Sequence, residues 1–357
     1  MLKTSQVVKT PSVKNLLNLW LKRFTLNISS QVADNSSFLS ELLMANSRES
    51  REKTAGKLKD HVLDINCQMA WVQTKTLYGY IPNILDLNEA RRITHFAFRV
   101  YKKLLEIYQK QSLKHDIALI EGRDGRVIPI WDIAEIEELS YELEPTLLVF
   151  QEQHIASKDW RALGFMTSQL NFSNKLILKK LTPAEKALLK PYLQFVEEQV
   201  AMPWQRVCVA AARHDLDSPM LTLVEQMLPL SEEIAQTVYR RLIQLLPDYR
   251  SRRGELTNPE ITHSCLRDLN MFQAYLWLCL LEKSMTPIKQ ELLPLCVMVT
   301  EGVEIQWEVT KQWYQVLAEE LINHVNPEQK DLLLPYVQRM QQIFFEERAR
   351  LGCKNEV

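Results

Sequence analysis

Apolar residues return every third or fourth position along almost the whole chain, the period of a helix with one buried face. The pattern predicts helices over about 13–27, 36–46, 48–79, 88–111, 131–143, 146–156, 158–180, 183–200, 203–214, 218–228, 231–246, 258–283, 286–300, 303–325 and 327–350. Asn88, Ser218, Asn258 and Asn326 stand just ahead of such runs, and Pro219, Pro259 and Pro327 follow the last three. A side-chain oxygen there accepts a first-turn N–H, and proline in the first turn gives up an N–H that had no partner anyway. One stretch breaks the period. Residues 117–130, IALIEGRDGRVIPI, set branched apolar residues on both sides of Gly122-Arg123-Asp124-Gly125, which predicts a β-hairpin lying against helices. The expected fold is therefore all-α, a multi-helix bundle or solenoid-like array with one short hairpin near 117–130.

The chain also writes one passage twice. Residues 182–194 read TPAEKALLKPYLQ and residues 326–338 read NPEQKDLLLPYVQ, an offset of 144 with Pro183, Lys186, Leu188, Leu189, Pro191, Tyr192 and Gln194 recurring without a gap. Beyond the match, Leu189, Tyr192, Val196 and Val200 correspond to Leu333, Tyr336, Met340 and Phe344, each set on one helix face. Related modules over about 158–200 and 302–345 follow, a duplication of helix pairs. Pro191 and Pro335 each remove an i→i−4 bond, so each module is expected to kink or restart there. The predicted organisation is an N-terminal arm over 1–33, a helical region over 34–112, a hairpin connector over 113–130 and a duplicated helical region over 131–357.

Composition narrows the picture. Only 8 of 357 residues are glycine, too few for sheet-rich turns or phosphate-cradling loops. The net charge of -1 disfavours bulk attraction to nucleic acid and leaves local patches to consider. No stretch reaches the roughly 18–20 apolar residues of a membrane span. Six cysteines lie far apart without a CxxC pair, which fits buried thiols in a reducing, cytoplasmic-type compartment rather than a disulfide framework. Residues 1–33 hold five basic residues and no acid. Leu17, Trp20 and Phe24 share one helical side, with Lys14 and Lys22 opposite and Arg23 beside them, so residues 13–26 form a candidate arm for a membrane surface or a partner. An ordinary first helix packing on the body is the competing reading.

Candidate chemistry is sparse. No Walker, GxGxxG, GxSxG, HExxH or EF-hand pattern occurs. The adjacent pair His214-Asp215 and the pair Glu260 and His263 lack the further ligands a metal centre needs, so no metal and no catalytic residue is assigned. Arg250, Arg252 and Arg253 fall in one loop, with Arg240 and Arg241 on the preceding helix, and form a candidate site for an anion or acidic partner. Asp132, Glu135, Glu138 and Glu142 form a candidate acidic docking face. The tryptophans fall in apolar helices, where core packing is the default over a tetrapyrrole or haem site, and no cofactor is assigned.

The leading expectation is a non-enzymatic interaction protein, an adaptor, assembly factor or regulator that binds other proteins through stacked helix faces. Two alternatives stand beside it. One is a helical-bundle enzyme or cofactor- or pigment-binding protein whose pocket is scattered in sequence. The other is an RNA- or DNA-associated protein using the arginine loop at 250–253.

Overall fold

The computed structural model describes residues 10–24, 26–27, 36–79, 87–110, 118–121, 127–131, 139, 142–143, 145–147, 161–251, 254–303 and 305–351. The architecture is all-α, and the chain divides into two compact units. One comprises Met1–Trp20 and Met202–Val357, here the C-terminal unit; the other comprises Leu21–Ala201, the central unit.

The chain enters through α1, Pro11–Leu21, followed by a 3-10 turn, Lys22–Phe24. The amphipathic pattern is correct, but its apolar face is not an open arm. Val13, Leu16, Leu17 and Trp20 are buried, and the Trp20 ring stacks on Trp204 at 5.0 Å. Phe24 packs edge-on against Phe195, and Arg23 pairs with Glu198 at 3.3 Å. A helix cannot offer to lipid or a partner the side chains it has buried in its own fold; past its first residue, the exposed positions of the helix, Lys14, Asn15 and Asn18, are polar.

The central unit continues with β1, Leu26–Asn27, then α2, Ser36–Ala45, α3, Arg48–Lys57, α4, Asp60–Leu77, and α5, Leu87–Lys110. The long helix expected over 48–79 is broken at Leu58 and Lys59. Gly56 weakens the helix there, and the break lets Thr54, Ala55 and Leu58 turn inward together with Leu63, Cys67 and Ala70. Along α5, Ile93, Phe96, Ala97, Val100, Tyr101, Leu104 and Tyr108 make the buried stripe. The hairpin forms as expected from β2, Ala118–Glu121, and β3, Val127–Trp131, with Ile120 opposite Ile128. β1 adds a third antiparallel strand, with Leu26 opposite Trp131, which the pattern does not announce. The helices expected over 131–143 and 146–156 fall mostly outside the described residues. The unit closes with α6, Arg161–Lys179, and α7, Pro183–Ala201.

The C-terminal unit holds α8, Trp204–Ala211, α9, Pro219–Met227, a 3-10 turn at Leu228–Leu230, and α10, Ser231–Leu245. A small hairpin of β4, Arg250–Ser251, and β5, Gly254–Glu255, leads to α11, Pro259–Glu282. From Leu269 to Leu281 nearly every side of α11 is buried, the mark of a central helix. It ends on Lys283 in the left-handed conformation, φ 53°, where the Lys283 and Ser284 N–H groups return to the carbonyls of Leu280 and Cys279. A π segment, Ile288–Leu292, opens the next run, then come α12, Leu293–Val303, α13, Trp307–Asn323, and α14, Pro327–Arg350.

The duplicated passages adopt the same local form, one in each unit. In both, a helix is followed by three linking residues, 180–182 or 324–326, and then by a helix with proline at its first position. Both starts are reciprocal caps. Thr182 Oγ1 accepts from the Glu185 N–H at 3.4 Å while Glu185 accepts from the Thr182 N–H at 2.9 Å. Asn326 and Gln329 make the same exchange at 2.8 and 3.1 Å. Neither helix restarts at its inner proline; α7 and α14 run through Pro191 and Pro335. Dense packing of Leu188, Leu189, Tyr192 and Leu193 holds α7 across the missing bond. Their surroundings differ: α7 is buried on most sides, whereas α14 buries only Leu333, Val337, Met340, Ile343 and Phe344.

Candidate functional site

Because α14 is covered on one side only, its other flank meets α13 in an open cleft. The start of α13 places Trp307, Thr310, Lys311, Tyr314 and Gln315 along one stripe, spaced 0, 3, 4, 7 and 8. The end of α14 supplies Gln341, Phe344, Phe345 and Arg348 in the same helical spacing. Between the stripes lies a cavity of about 190 Å3. Tyr314 and Phe344 form its floor with ring centres 4.3 Å apart, and Phe272 on α11 backs both at 5.3 and 5.7 Å. Burial pushes the Tyr314 hydroxyl well above its ordinary value, so it stays neutral. Trp307 is half-buried, and Phe345 stands 58% exposed at the rim.

Two cations line this cleft, and one of them is already paired with an acid. Lys311 is exposed and makes no hydrogen bond or ion pair with any described residue. One terminal nitrogen of Arg348 is held by Glu308 at 2.5 Å, which fixes the guanidinium while its other N–H groups meet no acceptor among the described residues. Gln341 donates to the Tyr314 carbonyl at 3.4 Å. The lining contains no carboxylate, imidazole or thiol; it offers aromatic faces, two cations and the amides and hydroxyls of Gln315, Gln341 and Thr310.

Burial pushes the Cys67 and Cys279 thiols up to about 12 and raises that of Cys296 well above its ordinary value, so these three stay protonated. His214 has both ring nitrogens engaged, one with Ser218 and one with the Leu281 carbonyl, each at 2.8 Å, which explains why the His214-Asp215 pair serves structure. Among the described residues no group of three or more His, Cys, Asp and Glu is placed to hold a metal, and no helix is long and apolar enough to cross a membrane.

The arginines singled out in the sequence do not converge on one site. Arg240 bonds within its own helix to Gln236 and Thr237. Arg241 pairs with Glu319 at 2.5 Å and Glu320 at 3.5 Å. Arg250 pairs with Glu255 across the small hairpin, whose turn needs Gly254 at φ +121°. Arg252 and Arg253 lie outside the described residues. On the acidic face, Glu142 pairs with Lys103 at 2.7 Å, which lowers its carboxyl below the ordinary value; Asp132, Glu135 and Glu138 lie outside the described residues, as does the Lys22 side chain. An apolar stripe absent from the expectations is Ile65, Met69 and Val72 on α4, 52%, 49% and 61% exposed.

Sequence reasoning treats Trp307 as core and does not single out Lys311, Phe345 or Arg348. The available signal is aromatic and cationic residues sharing one stripe on each of two consecutive helices.

A family described as "Phycobilisome protein" matches residues 211–343, a span inside the C-terminal unit that runs from the end of α8 to near the end of α14. No curated protein and no solved structure matches the chain.

Proposed function

We propose that the chain is a helical pigment-binding protein that works within a larger assembly of proteins. The observation that carries this reading is the phycobilisome-protein match over residues 211–343, since a phycobilisome is an assembly of pigment-bearing proteins. The matched span is itself a packed helical body, and it contributes all of the α13 side and Gln341 of the α13–α14 cleft, with its aromatic walls and cations. This reading favours the pigment-binding alternative over a pure adaptor, and it keeps protein partners. The test is the absorption spectrum of the full chain freshly purified from its native host. A visible chromophore at about one per chain is the expected result; colourless protein that takes up no pigment from a host extract would overturn the reading.

A pigment-free adaptor is the second reading, favoured by Ile65, Met69 and Val72. At i, i+4 and i+7 they line up on α4, where a partner helix would cover them. Cross-linking of the colourless protein to partners through that stripe would support it.

A further inference from the structure

We infer that the exposed stripe of α4 is an interface between two copies of this chain, packed antiparallel across a two-fold axis that passes between Met69 and Ala70. The inference does not rest on the pigment reading; it says which chain supplies the helix that covers Ile65, Met69 and Val72. α4 turns Leu63, Cys67, Ala70 and Thr74 into the central unit and leaves those three large apolar side chains in water, with Asp64, Gln68 and Lys75 exposed beside them. Covering the stripe removes apolar surface from water, which is favourable whatever the cover. The charges decide which cover fits.

Asp64 and Lys75 are separated by three helical turns, so both stand on one flank of the stripe, about 20° apart around the axis and about 16 Å apart along it. Their midpoint falls between Met69 and Ala70, at the middle of the stripe. A two-fold axis there reverses the second helix but keeps the flank, so Asp64 of each copy comes level with Lys75 of the other. The same operation sets Val72 of one copy at a height between Ile65 and Met69 of the other, so the apolar side chains interleave instead of colliding. Both charges are available. Lys75 pairs with no described residue, and Asp64 accepts one bond, from Gln68 at 2.8 Å, while its other oxygen meets no described donor. Parallel packing would bring like charges together along that flank. A lipid surface fits less well, because an interfacial helix carries Lys and Arg beside its apolar face, whereas α4 exposes Asp60 and Asp64 with a single lysine. One helix face per copy is small beside the roughly 800 Å2 per partner of a standard interface, so the dimer is weak and dissociates on the order of 10 μM.

The experiment is sedimentation equilibrium of the full-length chain over concentrations that bracket this value. Wild type is expected to pass from monomer to dimer. Asp64→Lys and Lys75→Glu, both at exposed positions, should each weaken association at least about fivefold, since each turns two attractions into repulsions. Mixed together, the two variants should associate again, because every flank pair in the mixed dimer is then opposite in sign. Met69→Glu should abolish the dimer by setting two carboxylates beside the axis, and an unchanged helical circular dichroism spectrum shows that the variant still folds. A wild-type chain that stays monomeric throughout overturns the inference, whatever else covers the stripe. A dimer indifferent to Met69→Glu and to both charge reversals lies elsewhere on the molecule and also overturns it. Failure of the two charge variants to associate on mixing overturns the antiparallel two-fold. None of these outcomes bears on the pigment reading, which the absorption spectrum tests separately.

Discussion

Arg51 is the most exacting test of how the central unit is held together. It sits on α3 with its side chain fully buried, yet it faces no carboxylate partner among the described residues. Neutral acceptors surround it: Asn46 Oδ1 receives Nε at 3.1 Å and Nη2 at 2.9 Å, while Nη1 reaches the Tyr108 carbonyl and the Tyr192 hydroxyl, each at 3.2 Å. The guanidinium also lies 4.7 Å from the centre of the Tyr108 ring. Tyr108 is in the last turn of α5, whose final carbonyls have no helical partner, so Arg51 caps one helix and ties it to another through Tyr192 of α7. Removing the side chain takes two donors from the Asn46 oxygen and one from the Tyr108 carbonyl in the interior, at about 1–3 kcal/mol for each group. Removing the buried charge also relieves its desolvation, which returns part of that loss. Arg51→Met, which keeps most of the volume, is expected to cost about 3 kcal/mol. Hydrogen exchange with peptide resolution reads the unit directly, because the tryptophans of both units mix in fluorescence. Amides of α3, the end of α5 and α7 should exchange on the order of 100-fold faster, since each 1.4 kcal/mol is tenfold. Amides of α11 serve as the internal reference. A change below about threefold, or slower exchange, would refute the account, because the guanidinium would then be no better than a methionine in that place.

Other consequences follow from single contacts. Tyr192→Phe should cost about 1 kcal/mol in denaturant unfolding, while Tyr336→Phe, the half-exposed counterpart in the second copy, should change little. Thr182→Ala and Asn326→Ala each remove a reciprocal cap and should lower stability by about 1 kcal/mol, a loss that serine at either position largely restores. Lys283→Gly relieves a side chain in the left-handed region and should raise the stability of the C-terminal unit by up to about 1 kcal/mol in thermal unfolding; destabilisation would contradict the cap as described. Glu185 gives a pH test. Burial works to raise its carboxyl, but bonds from Lys57, Thr182 and Thr54 outweigh it and hold it below the ordinary 4.5. A depressed acid contributes stability that is present above 4.5 and lost as pH falls through the folded value, so Glu185→Gln should flatten the acid limb of the stability curve below that pH.

The duplicated passage shows how far local information reaches. TPAE and NPEQ each encode a capped helix start with proline at its first position, and both are observed because a cap needs only residues within one turn. The same holds for helix periodicity and for the hairpin flanking Gly122 to Gly125. What the passage could not fix was the surroundings of each copy. Tyr192 became the partner of a buried arginine 141 positions away, whereas Tyr336 stayed near the surface. The continuous helix across Pro191 and the break at Leu58 are of the same kind, since packing by distant side chains decided whether a local weakness was tolerated.

The sequence by itself determined that this is a chain of capped amphipathic helices with one hairpin, because hydrogen bonding and periodicity within a few residues suffice for that. Tertiary structure decided which faces were covered: it buried the basic arm's apolar side, paired Arg241 and Arg250 with nearby acids, and left α14 half open against α13. A cleft between two helices depends on which other faces the fold fills first, and no local window of residues contains that outcome.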